Sequence, residues 1–343
     1  MPLERRSTLS GVLIEVFIDV VCPWAWIGKR RLDAALAALG DDAATVLWRP
    51  MLLDPTAPRQ SVSLADQPEA EAVQLQSVPG FTADLLKQRV AELATAEGLP
   101  TPAPAWRVST WAAHRLVQEA AAQGQSVQSA VVEDVMAAHF SGTDINTVEF
   151  LQRVADQYGL RGPAVVEGSS HAPAYLEPGF DPHDPGERLT REAYWAGRAI
   201  DVSSSPTFVV DGELLTGAQS VETLVRWLST VRQAPRQVPD EVRRLRLAEA
   251  LLDRRDPHGC LYVLAPLRPE YDGETNVELL SARALLASAS LRPAREKLER
   301  LVAQYPGDAY LHGLLGRVLK RLGEPDRAAA HLAIAGAMER DVA

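Results

Sequence analysis

The feature that most constrains the fold is a junction between a strand and a helix near residue 22. Val12 to Val21 (VLIEVFIDVV) is rich in β-branched residues with little alternation, the pattern of a strand buried on both faces. Cys22-Pro23 follows at once and opens a helical pattern to Leu39, with Leu32, Leu36 and Leu39 at helical spacing. Proline suits the first helical position, where its missing N–H costs nothing. Gly40-Asp41-Asp42 stops the helix, and Thr45 to Leu53 reads as a second strand. The result is a β-α-β unit with a cysteine at the strand-to-helix turn.

From Ser61 to about Tyr158 the pattern is almost wholly helical, clearest over residues 83–98, 108–124, 128–140 and 148–158. Residues 164–186, rich in Gly, Pro, Ser and His, read as a loop, and Arg188 to Ile200 as a helix. Thr207 to Val210, the turn Asp211-Gly212 and Glu213 to Thr216 form a hairpin, closed by a helix from Ser220 to Val231. This order predicts an α/β thioredoxin fold with an inserted helical subdomain. It would occupy residues 11–232, with the insertion at about 61–186, after a flexible lead over 1–10.

A Pro-containing linker (233–239) precedes a tail, 240–343, that repeats itself. Tyr271-Asp272-Gly273 recurs 34 residues on as Tyr305-Pro306-Gly307. The same register aligns Leu251, Leu285 and Leu319, then Ala248, Ala282 and Gly316, then Leu264, Leu298 and Leu332. A 34-residue period with small residues where paired helices cross predicts an all-α domain of three divergent tetratricopeptide repeats.

Bulk properties narrow the function. A length of 343 residues suits two domains. A net charge of −10 argues against nucleic acid as a partner, since phosphate binding needs a basic surface. No apolar run reaches the ~18 residues of a membrane-spanning helix. Arg5-Arg6-Ser7-Thr8-Leu9 loosely imitates a twin-arginine export signal, but the apolar stretch after it carries Glu15 and Asp19 and runs into the cysteine motif. The expectation is therefore a cytoplasmic protein, and two cysteines in the whole chain fit a reducing compartment.

Cys22 is the position with the clearest chemistry. A thiolate at a helix N-terminus is favoured by the free N–H groups and the dipole, so its pKa is expected to fall below the ordinary ~8.5. The plainer alternative is a small buried apolar residue. Cys260 shares its repeat position with Ala294 and Ala328 and reads as a packed core cysteine, leaving Cys22 without an intramolecular partner. Ser205-Pro206-Thr207, between a helix and a hairpin, stands where thioredoxin folds hold a cis-proline beside the cysteine, with main-chain groups free for an extended substrate. Asp19 either tunes the thiol or caps the strand end. His114 and His139 read as packed or surface helical residues. His171, Asp181, His183 and Asp184 lie in the long loop without a trusted ligand spacing, so no metal is expected. No phosphate-binding glycine loop and no Ser/His/Asp arrangement is present.

The segment Asp19-Val-Val-Cys22-Pro-Trp-Ala25-Trp-Ile-Gly28-Lys-Arg-Arg31 resembles the active-site segment of FrnE-type proteins of the DsbA family, which read DVVCPWCYIGKRR or similar. Residues 48–55 (WRPMLLDP), 113–117 (AHRLV), 139–145 (HFSGTDI), 205–212 (SPTFVVDG) and 217–219 (GAQ) are also similar to that family, so the resemblance spans about residues 12–232. It implies a thiol–disulfide oxidoreductase in which Cys22 is the nucleophile, Pro23, Trp24 and Ala25 are the motif positions, and Ser205, Pro206, Thr207 and Trp26 face the substrate. It also implies protein clients, with glutathione as co-substrate and no tightly bound cofactor.

Ala25 departs from the family, standing where a second cysteine would release a mixed disulfide. Three readings stay open: a native monothiol protein working with glutathione, a binding module that has lost redox catalysis, or an engineered replacement. The kappa-type glutathione transferases and hydroxychromene-carboxylate isomerases of the same superfamily also lack the second cysteine, but generally have serine at the first position. That alternative predicts a deep pocket between the insertion and Cys22, with Trp24, Trp26 and Trp111 as candidate lining. Thioredoxin domains followed by tetratricopeptide repeats resemble bacterial co-chaperones of the YbbN type, which implies a client-holding role for the tail.

Overall fold

The computed structural model describes residues 12–40, 44–162 (except 59, 68, 71, 72, 74 and 77–80), 185–231, 239–267 and 273–341. The expectations for the lead, for residues 164–184 of the expected loop with its histidines, and for most of the linker lie outside these residues, while Pro185 and Gly186 begin a helix. The chain divides into two compact units, Met1–Gly197 with Asp201–Arg236, and Arg198–Ile200 with Gln237–Ala343.

In the first unit β1 (Leu13–Ile18) runs into α1 (Pro23–Leu39), and the chain returns as β2 (Thr45–Pro50). The insertion carries β3 (Val62–Ser63), α2 (Ala83–Ala96), β4 (Trp106–Arg107), α3 (Trp111–Ala120), α4 (Gln125–Phe140) and α5 (Val148–Tyr158). Helix α6 (Pro185–Ala199), the hairpin β5 (Thr207–Val210) and β6 (Glu213–Thr216), and α7 (Val221–Thr230) complete it. The main sheet has the order β2-β1-β5-β6, with β1 parallel to β2 and antiparallel to β5. This is a thioredoxin fold with an inserted helical subdomain, followed in the chain by a helical region.

Three local differences from the sequence expectation have physical causes. The first strand stops at Ile18 because the chain turns: Cys22 N–H donates to Asp19 O at 3.0 Å. The second stops at Pro50 because its partner strand ends there: Met51 N–H makes the last bond to β1, donating to Ile18 O at 2.8 Å. The insertion also contains a two-stranded ribbon, β3 against β4, with two residues each, too short for any periodicity to register. Elsewhere the turns follow their chemistry. Gly40 ends α1 in the left-handed conformation (φ 68°), and Asp211-Gly212 carries positive φ at both hairpin corners.

Side chains seal the outer edge of β2. Gln128 accepts from Trp48 N–H at 3.0 Å and donates to Trp48 O at 2.9 Å, Gln118 donates to Trp48 O at 2.7 Å, and Gln125 accepts from Val46 N–H at 2.9 Å. Helices α3 and α4 thus supply in carboxamides what a further strand would supply in main chain.

Gly28 sets how closely α1 approaches the loop before β5. A Cβ there would lie 2.8 Å from Cγ of Pro206, a rigid ring that yields only if the main chain moves. Gly28→Ala is therefore expected to cost about 1–3 kcal/mol, read as a lower urea midpoint. All seven tryptophans lie between residues 24 and 227, so their fluorescence reports this unit alone. An unchanged midpoint would show that the loop accommodates the methyl group.

The second unit is helical: α8 (Asp240–Asp253), α9 (Pro257–Leu264), α10 (Thr275–Ala287), α11 (Leu291–Gln304), α12 (Ala309–Arg321) and α13 (Pro325–Asp341), each packed on the next. Ala248 and Ala282 are buried, and a Cβ on Gly316 would meet the Leu332 side chain at 2.7 Å. Cys260, Ala294 and Ala328 are buried too, so Cys260 occupies a tight packing position. Among the described residues no helix is long and apolar enough to cross a membrane.

Candidate active site at Cys22

Cys22 caps α1 with extended main chain (φ −90°, ψ 113°), and Pro23 is the first helical residue. Its Sγ–H donates to Ser205 O at 3.2 Å. The next peptide, Ser205–Pro206, is cis. Asp19 ties these parts together. Its N–H donates to Ser205 Oγ at 2.9 Å, its carbonyl accepts from Cys22 N–H, and its Oδ2 accepts from Leu53 N–H at 2.7 Å. The turn after β1, the start of α1, the loop before β5 and the end of β2 are thereby held in one register.

A residue that the sequence reading missed completes the site. Gln76 donates from Nε2 to Cys22 Sγ at 3.2 Å and also to Ser205 O, while its Oε1 accepts from Ser205 N–H at 3.0 Å. Its neighbour Leu75 is buried beside Leu86 and Val90, and accepts at its carbonyl from the Trp24 indole N–H at 3.0 Å. A polar residue in an irregular segment has no periodicity to betray it, which is why spacing gave no signal.

The electrostatics correct the expectation of a lowered thiol pKa. Cys22 is 0% exposed, and burial pushes the thiol up to about 12. The Ser205 side-chain hydroxyl and the N–H groups of Ala25 and Trp24 act in the opposite direction, and the Asp19 charge adds to the rise. Desolvation outweighs the helix terminus because so little solvent reaches the sulfur to stabilise a thiolate. In this conformation Cys22 is a protonated thiol at neutral pH.

Both readings of Asp19 hold at once: it braces the strand end and its charge acts on the thiol. Its Oδ1 lies 3.5 Å from His114 Nε2 in a fully buried setting. His139 is also buried, neither ring nitrogen has a hydrogen-bond partner among the described residues, and burial holds its pKa down to about 4. No group of three or more His, Cys, Asp or Glu suited to a metal occurs among the described residues.

The structure brings together Cys22, Pro23, Ala25, Ser205 and Pro206, with Trp24 at the edge. The structure places Trp26 and Thr207 in the core. Two residues along a helix is about 200°, so Trp26 points away from Trp24; it is 2% exposed, stacks on Phe140 with centroids 5.1 Å apart and donates to Glu133 at 2.9 Å. Thr207 is buried in β5, its hydroxyl donating to Ser204 O at 2.7 Å. Trp111 donates to Glu187 at 3.0 Å. A cavity of about 300 Å³ is lined by Pro23, Leu75, Val90 and Phe140 among others, and neither Cys22 nor any of the three tryptophans lines it. Trp24 instead borders a cavity of about 450 Å³ with Phe81 and Leu85.

A cysteine capping the first helix of a thioredoxin fold, facing the loop before the hairpin, defines a thioredoxin-fold thiol protein. The chain belongs to the family of DSBA-like thioredoxin domains, whose profile matches residues 13–229. Among solved structures it is similar to a probable DsbA oxidoreductase from Streptomyces coelicolor, at 23% identity over 66% of this chain and 92% of that one, with a TM-score of 0.49. It is also similar to a 2-hydroxychromene-2-carboxylate isomerase, at 15% identity over 63% of this chain and 94% of the other, with a TM-score of 0.44. A comparison with curated proteins gave no match.

Proposed function

We propose that the chain is a thiol–disulfide oxidoreductase of FrnE type with a single motif cysteine, working in a reducing, cytoplasmic setting. The observation that carries this is Cys22 at the cap of α1 with its sulfur against the carbonyl that precedes Pro206. Once Cys22 is exposed and gives its proton to water, its thiolate attacks a client disulfide, forming a mixed disulfide and expelling the client's other sulfur as a thiolate. Ala25 supplies no second thiol, so a glutathione thiolate displaces the client from Cys22. A second glutathione then frees Cys22 as oxidised glutathione, so two electrons pass from two glutathiones to one client disulfide.

Incubation with oxidised glutathione, followed by intact-mass measurement, tests this reading. One glutathione is expected on the wild type, none on Cys22→Ser, and one on Cys260→Ser. A glutathione adduct on Cys22→Ser, or none on the wild type, sinks it.

The small buried residues at matching places in successive helix pairs favour a second component, a tetratricopeptide-like tail that holds clients for Cys22. Removing residues 239–343 is then expected to abolish client capture without altering Cys22 alkylation. Equal capture by the shortened protein removes the tail from the scheme.

A further inference from the structure

The carboxamide of Gln76 engages one residue in two directions. It gives a hydrogen to Ser205 O and takes one from Ser205 N–H, while its second N–H points to Cys22 Sγ. Two antiparallel strands exchange the same pair of bonds where their residues lie directly opposite each other. Ser205 is thus paired by an amide of the geometry that an extended peptide would offer, delivered by a side chain of the protein itself. We propose that Gln76 is an internal occupant of the client-binding position, filling the place of a client's main-chain amide at Ser205 and covering Cys22, so that clients enter only by displacing it. The ligand that competes is a peptide main chain, which also presents the disulfide to Cys22.

The surroundings fit a latch, not core packing. Gln76 is only partly buried, unlike the wholly buried Gln128 that pairs with Trp48. Its main chain is left-handed (φ 51°), a conformation that a residue with a Cβ rarely adopts without external support. The support is a turn in which Gln76 N–H donates to Val73 O at 3.1 Å, anchored by Leu75 and the Trp24 indole. A glutamine side chain offers one amide and no continuation, whereas a peptide adds contacts on either side. Exchange of the one for the other leaves no polar group of Ser205 unpaired, which removes the main cost of opening a buried site. The thiol is uncovered in the same movement.

The inference rests on the proposed role of Ser205 as client dock, and the test separates the two. Iodoacetamide reaction at Cys22, followed by peptide mass mapping at pH 8, requires no redox activity. Gln76→Ala is expected to react about tenfold faster than wild type, because the open fraction sets the observed rate. Gln76→Glu should accelerate as well, since its carboxylate faces Ser205 O with no hydrogen to give. S-methylglutathione, which has peptide amides but no free thiol, should then protect Cys22 at about tenfold lower concentration in Gln76→Ala than in wild type. Rates within twofold of wild type in both variants overturn the latch, whatever the redox assays show. Faster alkylation without protection by S-methylglutathione overturns the competition between Gln76 and a peptide. Faster alkylation with protection, in a protein whose Cys22 takes no glutathione, leaves the latch standing and removes the oxidoreductase reading alone.

Discussion

Replacing Ala25 with cysteine is expected to raise the turnover of insulin disulfides sharply. Ala25 is fully buried one turn beyond Cys22, and its N–H donates to Cys22 O at 3.0 Å, so the two positions share a face of α1. A thiol placed there lies within reach of a mixed disulfide on Cys22 and can expel the client without waiting for an external thiol. In the turbidity assay with dithiothreitol as reductant, Ala25→Cys should exceed wild type by at least about tenfold. Wild type should turn over more slowly, since each client it captures awaits a thiol from solution. If Ala25→Cys stays inert while Cys22 still takes up glutathione, the site accepts thiols but lacks the geometry for internal resolution. The monothiol reading then becomes the stronger one.

The second large effect is on stability in acid. Burial holds the His139 pKa at about 4, below its ordinary 6.5, and the nearby Asp19 charge only partly offsets this. The folded state therefore keeps His139 neutral where the unfolded chain protonates it. The stability that follows is fully present above pH 6.5, declines as pH falls through the window from 6.5 to 4, and changes no further below it. Its size is on the order of 3 kcal/mol, from the span between the two values. Asp54, held below the usual carboxylate range chiefly by Arg107 against the opposing effect of burial, loses its contribution only at lower pH. Urea midpoints followed by tryptophan fluorescence should thus fall between pH 6.5 and 4 in the wild type and stay nearly level in His139→Leu. Parallel curves for the two proteins would place the acid sensitivity elsewhere.

How far the sequence speaks depends on how each feature is encoded. The strand, cysteine, proline and helix around residue 22 were legible because each obeys a local rule. The hairpin was legible for the same reason, since Asp211-Gly212 is a turn pair of known type. Long-range features were not. Gln76 reaches Cys22 across 54 positions with no pattern to announce it. The thiol pKa was read from the helix terminus, which is local, and missed the desolvation, which depends on everything packed around the sulfur.

The sealed edge of β2 has a bearing on how this protein fails. A four-stranded sheet has two sides from which a foreign strand could extend it. One is closed by Gln118, Gln125 and Gln128, which take up main-chain groups of Val46 and Trp48. The other is β6, short and largely exposed from Glu213 to Thr216. Strand-mediated association under stress, whether exchange of hairpins between copies or growth of fibrillar deposits, therefore has its open flank at Leu214 and Leu215. A lysine at Leu214 would guard that flank without touching the thiol.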